Sequence, residues 1–231
     1  MGVVTLAWIL AACAGVAHIG AKFYLVEGSP GLVDVIHSSL KPIPIFILQY
    51  LLSRNSTPQT FMLLGLVFSS VGDIMLLPTV DIFIGGLGSF FVAHVFYIAA
   101  LGFPKLTSAS VIVLAVAASY GCGMYVYLEP NVEPELKIPV MVYAAIIATM
   151  AWCAVSKPFS ASPMSIPRPL PTALGALLFV ASDSCLALQK FDPAVDGGVG
   201  IELAIMSTYY AAQALLCAAA MDSGEGKGKR E

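Results

Sequence analysis

Apolar residues gather in eight long runs, at 3–26, 34–53, 59–77, 82–103, 108–128, 137–156, 170–190 and 201–221. Each approaches the about 20 residues a helix needs to cross the hydrocarbon of a bilayer. Between them lie stretches of turn chemistry, among them Glu27-Gly28-Ser29-Pro30-Gly31, Asn55-Ser56-Thr57-Pro58, Glu129-Pro130-Asn131 and Asp192-Pro193, where proline and glycine punctuate helices. The pattern predicts an all-α polytopic membrane protein, a bundle of eight transmembrane helices forming one domain over 1–221, with a short flexible tail at 222–231. No internal repeat or heptad register interrupts it. The first run has small residues at Ala11, Ala12, Ala14 and Ala17 that suit a cleaved signal peptide. Its first seven residues contain no Lys or Arg and the run exceeds a typical h-region, so it is expected to stay as a helix.

Composition agrees with the pattern. Of the 231 residues 58% are hydrophobic and 11% charged, with a mean hydropathy of +0.88, whereas soluble domains carry about 25% charged residues. A net charge of −3 without a long basic run leaves nothing to neutralise phosphates, which excludes nucleic acid as a partner. The five cysteines, Cys13, Cys122, Cys153, Cys185 and Cys217, all fall within apolar runs, so neither a disulfide framework nor a zinc knuckle is expected. Basic residues set the topology. With both termini cytoplasmic, Arg54, Lys105, Lys157, Arg168, Lys227, Lys229 and Arg230 lie inside, against Lys137 and Lys190 outside, as the positive-inside rule requires.

Ionisable residues inside the runs need a partner, a cavity or a function, because each costs about 2.5–3.5 kcal/mol at mid-bilayer. They are His18, Lys22, Lys41, Asp73, His94 and Asp183, in the company of Tyr97, Tyr143, Tyr209, Tyr210 and Gln213. At 1.5 Å rise per residue, Asp73 lies about 6 Å and Asp183 about 10 Å inside the outer boundary, in one layer with Lys41 and Tyr143. His94 and Tyr97, one turn apart on one face, would form a cavity floor. Several of these residues have an ordinary structural reading. Lys22 can snorkel to the interface, Lys41 can satisfy carbonyls freed by Pro42 and Pro44, His18 packs, His37 is interfacial, and Tyr120, Tyr125 and Tyr127 make an aromatic belt.

Asp73 and Asp183 have no stem with which to snorkel, and two carboxyls at similar depth on different helices point to an acid–base pair. The inventory supports no other catalytic scheme. The three histidines lack metal-ligand spacing, so no metal and no cofactor is expected, and there is neither a Gly-x-Ser-x-Gly elbow nor a phosphate loop. Val71-Gly72-Asp73 and Ala181-Ser182-Asp183 resemble intramembrane aspartyl proteases only in their aspartates.

In Lys41-Pro42-Ile43-Pro44, Ser69-Ser70-Val71-Gly72-Asp73, Ala93-His94-Val95-Phe96-Tyr97, Ala181-Ser182-Asp183 with Lys190-Phe191, and Ser207-Thr208-Tyr209-Tyr210-Ala211-Ala212-Gln213, the chain resembles the YhhN-like lysoplasmalogenase family, in particular its animal transmembrane members. The resemblance implies a lysophospholipid substrate drawn from the membrane. It implies hydrolysis of the vinyl ether bond of a lysoplasmalogen to a fatty aldehyde and glycerophospho-ethanolamine or -choline. That chemistry needs an acid to protonate the double bond and a base to orient water, which suits Asp73 and Asp183, with the two roles open between them. Lys41 is the candidate for the phosphate or for tuning the carboxyls. His94, Tyr97, Tyr143, Tyr210 and Gln213 are candidates for holding the glycerol and head group. The competing expectation is a proton-coupled transporter in which the buried aspartates relay protons. Lys227 and Lys229 stand five and three positions from the end of the chain, a spacing that resembles the dilysine retrieval signal of the endoplasmic reticulum.

Overall fold

The computed structural model describes residues 3–24, 39–55, 59–159 and 168–221. Among them are eight α-helices and no strand: α1 Val3–Tyr24, α2 Ile43–Ser53, α3 Thr60–Met75, α4 Phe83–Leu101, α5 Ser108–Leu128, α6 Pro134–Val155, α7 Pro169–Phe191 and α8 Val199–Met221. The helices from α4 to α8 are long and apolar enough to cross a membrane, while α2, α3 and the Trp8–His18 stretch of α1 are shorter apolar helices. Large apolar side chains point outward from the bundle, with Ile112, Val116 and Ile138 each more than 60% exposed. Such a surface belongs against lipid, and the protein is a multi-pass membrane protein. The side chain of Lys22, together with Glu27, Asp34, His37, Lys227 and Lys229, lies outside the described residues.

Proline and the capping residues explain the helix limits. The run expected at 34–53 is broken by a turn at Lys41 and Pro42, after which α2 starts with Pro44 in its first turn, where a missing N–H leaves no bond unmade. After the break α2 has 11 residues, residues 39–40 before it are helical as well, and the break brings Lys41 to the head of α2. Thr107 caps α5, its hydroxyl accepting from the Ser110 amide at 3.2 Å. Pro134 and Pro169 open α6 and α7, and Gly102 ends α4 with a φ of 69°.

Helix α7 packs along α8, α3 along α4, and α5 along α6, while α4 reaches α6 and α1 lies on α2 and α8. With no hydrophobic driving force between helices in lipid, small residues and cross-helix hydrogen bonds hold such contacts. Gln49 donates to the Ser70 hydroxyl and the Leu66 carbonyl, both at 3.0 Å. Ser89 bonds the Phe68 carbonyl at 2.6 Å, and Ser182 bonds the Ile205 carbonyl at 3.0 Å. Just past the end of α7, Asp192 accepts from the Tyr127 hydroxyl at 2.6 Å, and this bond and the Ala194 amide hold its carboxyl below the usual range.

The tightest approach is at Gly65, where a Cβ would stand 2.2 Å from the Tyr97 ring. Gly65→Ala is therefore expected to displace a fully buried ring and to destabilise the bundle by roughly 1–3 kcal/mol, seen as a lower thermal unfolding midpoint in detergent. An unchanged midpoint would show that α3 and α4 can part without cost.

Candidate active site

Two polar centres lie in the bundle, one on each aspartate. Asp73 stands near the end of α3 with its side chain 3% exposed. The Tyr209 hydroxyl donates to its Oδ2 at 2.7 Å, and Lys41 Nζ is 4.0 Å from Oδ1. Adjacent residues on a helix point about 100° apart, so Tyr209 turns toward Asp73 while Tyr210 turns to the head of α2. There the Tyr210 hydroxyl donates to the Lys41 carbonyl at 2.9 Å, stapling α8 to the proline-broken start of α2. His18 on α1 meets the Tyr210 ring edge-on at 5.9 Å.

Asp183 on α7 forms the second centre. The Tyr143 hydroxyl of α6 donates to its Oδ2, and His94 Nε2 of α4 lies 3.7 Å from the same oxygen and 3.2 Å from the Tyr143 hydroxyl. Three helices thus converge on one carboxylate oxygen. One turn along α4, the Tyr97 hydroxyl donates to Gln213 Oε1 at 2.7 Å and stands 3.1 Å from the Ser69 hydroxyl. His94 Nδ1 and Gln213 Nε2 are buried with no hydrogen-bond partner among the described residues. A buried polar nitrogen of that kind is where a ligand hydroxyl gains most.

Phe179, fully buried, separates the centres. Its ring meets His94 at 4.8 Å, Tyr209 at 5.6 Å and Tyr97 at 6.2 Å, each edge to face. Each aspartate accordingly has its own partners, and no hydrogen bond joins the two carboxyls among the described residues. Asp183 is the more open of the two. Its side chain is 15% exposed, and with Tyr143 it lines a cavity of about 510 Å³ between α5, α6 and α7 whose other walls are nearly all apolar.

All eight residues expected at the site fall in these linked clusters: Lys41 and Tyr210 beside Asp73, His94 and Tyr143 beside Asp183, Tyr97 and Gln213 between. Tyr209, which the sequence offers only as polar company, stands four residues before Gln213 and so on the same helical face. Phe179 carried no chemical signal at all. Tyr120, expected in an interfacial belt, lies at mid-span, where its hydroxyl meets the Ser184 hydroxyl at 2.8 Å and its ring lines the cavity. Among the described residues no three His, Cys, Asp or Glu side chains converge to hold a metal ion.

The sequence matches the YhhN family over residues 36–220. It is 35% identical over 212 residues to the lysoplasmalogenase TMEM86A of Homo sapiens, covering 87% of this chain and 84% of that protein. It is 34% identical over 160 residues to the human lysoplasmalogenase TMEM86B, covering 69% of this chain and 62% of that protein. A lysoplasmalogenase of Mycobacterium tuberculosis is 27% identical over 227 residues, 91% of this chain and 82% of that protein. No solved structure matches the chain significantly.

Proposed function

The chain belongs to the YhhN family, and on that premise we propose that it is a lysoplasmalogenase, hydrolysing the vinyl ether of a lysoplasmalogen by carboxyl acid–base catalysis within the bilayer. The observation that carries the reading is a carboxyl, Asp183, held by Tyr143 and His94 in the wall of an apolar cavity. A lysophospholipid brings its ether bond to such a place with its chain in apolar surroundings.

In the reaction Asp183 donates its proton to the alkenyl carbon distal to the ether oxygen, leaving an oxocarbenium ion. The Asp183 carboxylate so formed takes a proton from the attacking water, while Asp73, fixed by Lys41 and Tyr209 on the far side of the Phe179 ring, adds negative charge that stabilises the cation at longer range. The hemiacetal so formed then collapses: the proton taken from water passes to the ether oxygen, which leaves as the glycerol hydroxyl, and the new hydroxyl gives its proton back to Asp183 as it becomes the aldehyde carbonyl. One water is consumed and no redox change occurs. Lys41 and the buried nitrogen of His94 hold the phosphate and glycerol, while Gln213, a turn deeper on the side of the chain, fixes Tyr97. Tyr97, Tyr143 and Tyr210 keep these groups in register.

The test uses purified protein with matched alkenyl and acyl lysophosphoethanolamine. Fatty aldehyde from the alkenyl lipid alone supports the reading. Aldehyde from neither, with monodisperse protein, overturns it and makes proton flux in liposomes the next assay. In deuterium oxide the aldehyde should carry one deuterium on the carbon next to the carbonyl, because protonation at carbon is the first step; an unlabelled product would refute that step. Tyr143→Phe removes one donor from Asp183 and leaves the ring, so a loss of about tenfold in kcat is expected with the fold intact.

The same reading takes all eight helices across the bilayer with both termini cytoplasmic, and the protein to the endoplasmic reticulum through Lys227 and Lys229. Serine at both positions should move a tagged protein outward along the secretory pathway, and unchanged localisation would refute the signal.

A further inference from the structure

We infer that the cavity between α5, α6 and α7 is the site for the substrate's single hydrocarbon chain, and that its depth sets the chain length the enzyme prefers. The inference rests on the proposed lysoplasmalogenase activity. Helix α5 packs along α6 but scarcely touches α7, and only Ser110 and Leu128 of its residues are buried. The crevice left by that splayed helix is the cavity, and the Tyr120–Ser184 hydrogen bond is a tie across it.

All the polar groups of the cavity but Tyr125, a little over one turn from Tyr120, lie in one layer, where Tyr120 pairs with Ser184 and Tyr143 with Asp183. From that layer the wall formed by α6 runs from Tyr143 down to Val155, about 18 Å at 1.5 Å per residue. That compares with about 15 Å for the hydrocarbon of one leaflet. In the opposite direction the lining ends at Val140 on α6 and Ala187 on α7, about 5 and 6 Å away, and at Leu128 on α5, about 12 Å away, where Leu128 clusters with Val140 and closes that end. A lysoplasmalogen with its vinyl ether at Asp183 therefore lays its chain toward Val113 and Val155 and its head group toward the short end. The occupant is a single chain rather than a second protein, because a deep slot between helices with one carboxyl-bearing layer fits a linear amphiphile. Two of its lining residues, Ile112 and Val116, are exposed on the apolar outer face of α5, the side from which a lysolipid in the bilayer would enter.

Filling the long arm should shorten the preferred substrate. Ala117 and Val113 of α5 line that arm and lie one and two turns from the Tyr120 layer. Ala117→Phe and Val113→Trp are expected to lower kcat/KM for a hexadecenyl lysophosphoethanolamine by roughly 10- to 100-fold while sparing an octenyl one. Turnover of the short lipid shows that the variant is folded. A wild-type enzyme that releases aldehyde but whose chain-length profile is unmoved by both variants overturns the chain site alone. A wild-type protein that releases none from any alkenyl lipid overturns the parent activity instead. An independent readout is photolabelling of the wild-type protein by a lysophosphoethanolamine carrying a diazirine at the end of its chain. Label on α5 or α6 near Val113 and Val155 supports the assignment, and label near Leu128 and Val140, or only on the outer helix faces, overturns it.

Discussion

Asp183→Asn is expected to reduce aldehyde release by about a thousandfold or more, the upper part of the range for losing a positioned general acid. Asparagine has nearly the same volume and its amide oxygen still accepts from the Tyr143 hydroxyl. What it lacks is a proton to give to carbon. Protonation at carbon is slow, and no neighbour replaces the donor: Tyr143 is a weak acid, and His94 stands behind it with its ring fully buried. The thermal unfolding midpoint should move little, because Asp183 is partly exposed to the cavity and has no basic partner closer than the 3.7 Å of His94. The measurement is kcat for the alkenyl lipid alongside that midpoint. A folded variant with kcat within tenfold of the parent would remove Asp183 from the chemistry.

How much of this was legible depends on what kind of signal each residue leaves in a sequence. Charged residues within apolar runs are conspicuous because insertion penalises them, which is why Lys41, Asp73, His94 and Asp183 stood out. Depth followed from counting residues along helices, and it put Lys41, Asp73 and Asp183 in one layer with His94 as a floor beneath them. What counting does not give is the rotation of each helix about its axis, which fixes contacts. Rotation separates the aspartates into two centres with Phe179 between them, and brings Tyr143 to Asp183 and Tyr209 to Asp73. The break at Pro42 was readable as a distortion, and the structure places it as a turn at Lys41 and Pro42 between helical residues 39–40 and α2. The cavity had no signal, since it arises from α5 leaning away from α7, and the apolar side chains lining it are those that would otherwise face lipid. Tyr120 shows the same limit: an aromatic on an outward face reads as belt, and only its bond to Ser184 reveals another use.

Lys41→Met is expected to destabilise the protein by roughly 2–4 kcal/mol, toward the lower end of the cost of breaking a buried pair because Lys41 keeps partial exposure. The loss does not come mainly from the attraction across 4.0 Å. It comes from leaving a carboxyl in the bundle with Tyr209 as its hydrogen-bond donor among the described residues, where desolvation is no longer offset. The backbone bond from Tyr210 to the Lys41 carbonyl survives the substitution, so the head of α2 stays in place. Lys41→Met combined with Asp73→Asn removes both charges and should recover most of the lost stability, as replacing a buried pair by neutral groups often does. The two-residue cycle separates folding from chemistry. If the double variant unfolds near the parental temperature and yields no aldehyde, Asp73 and Lys41 act in the reaction, for the fold no longer depends on them. If it is both stable and active, the pair is a structural device that holds α2 against α3, and Asp183 with Tyr143 and His94 carries the hydrolysis alone.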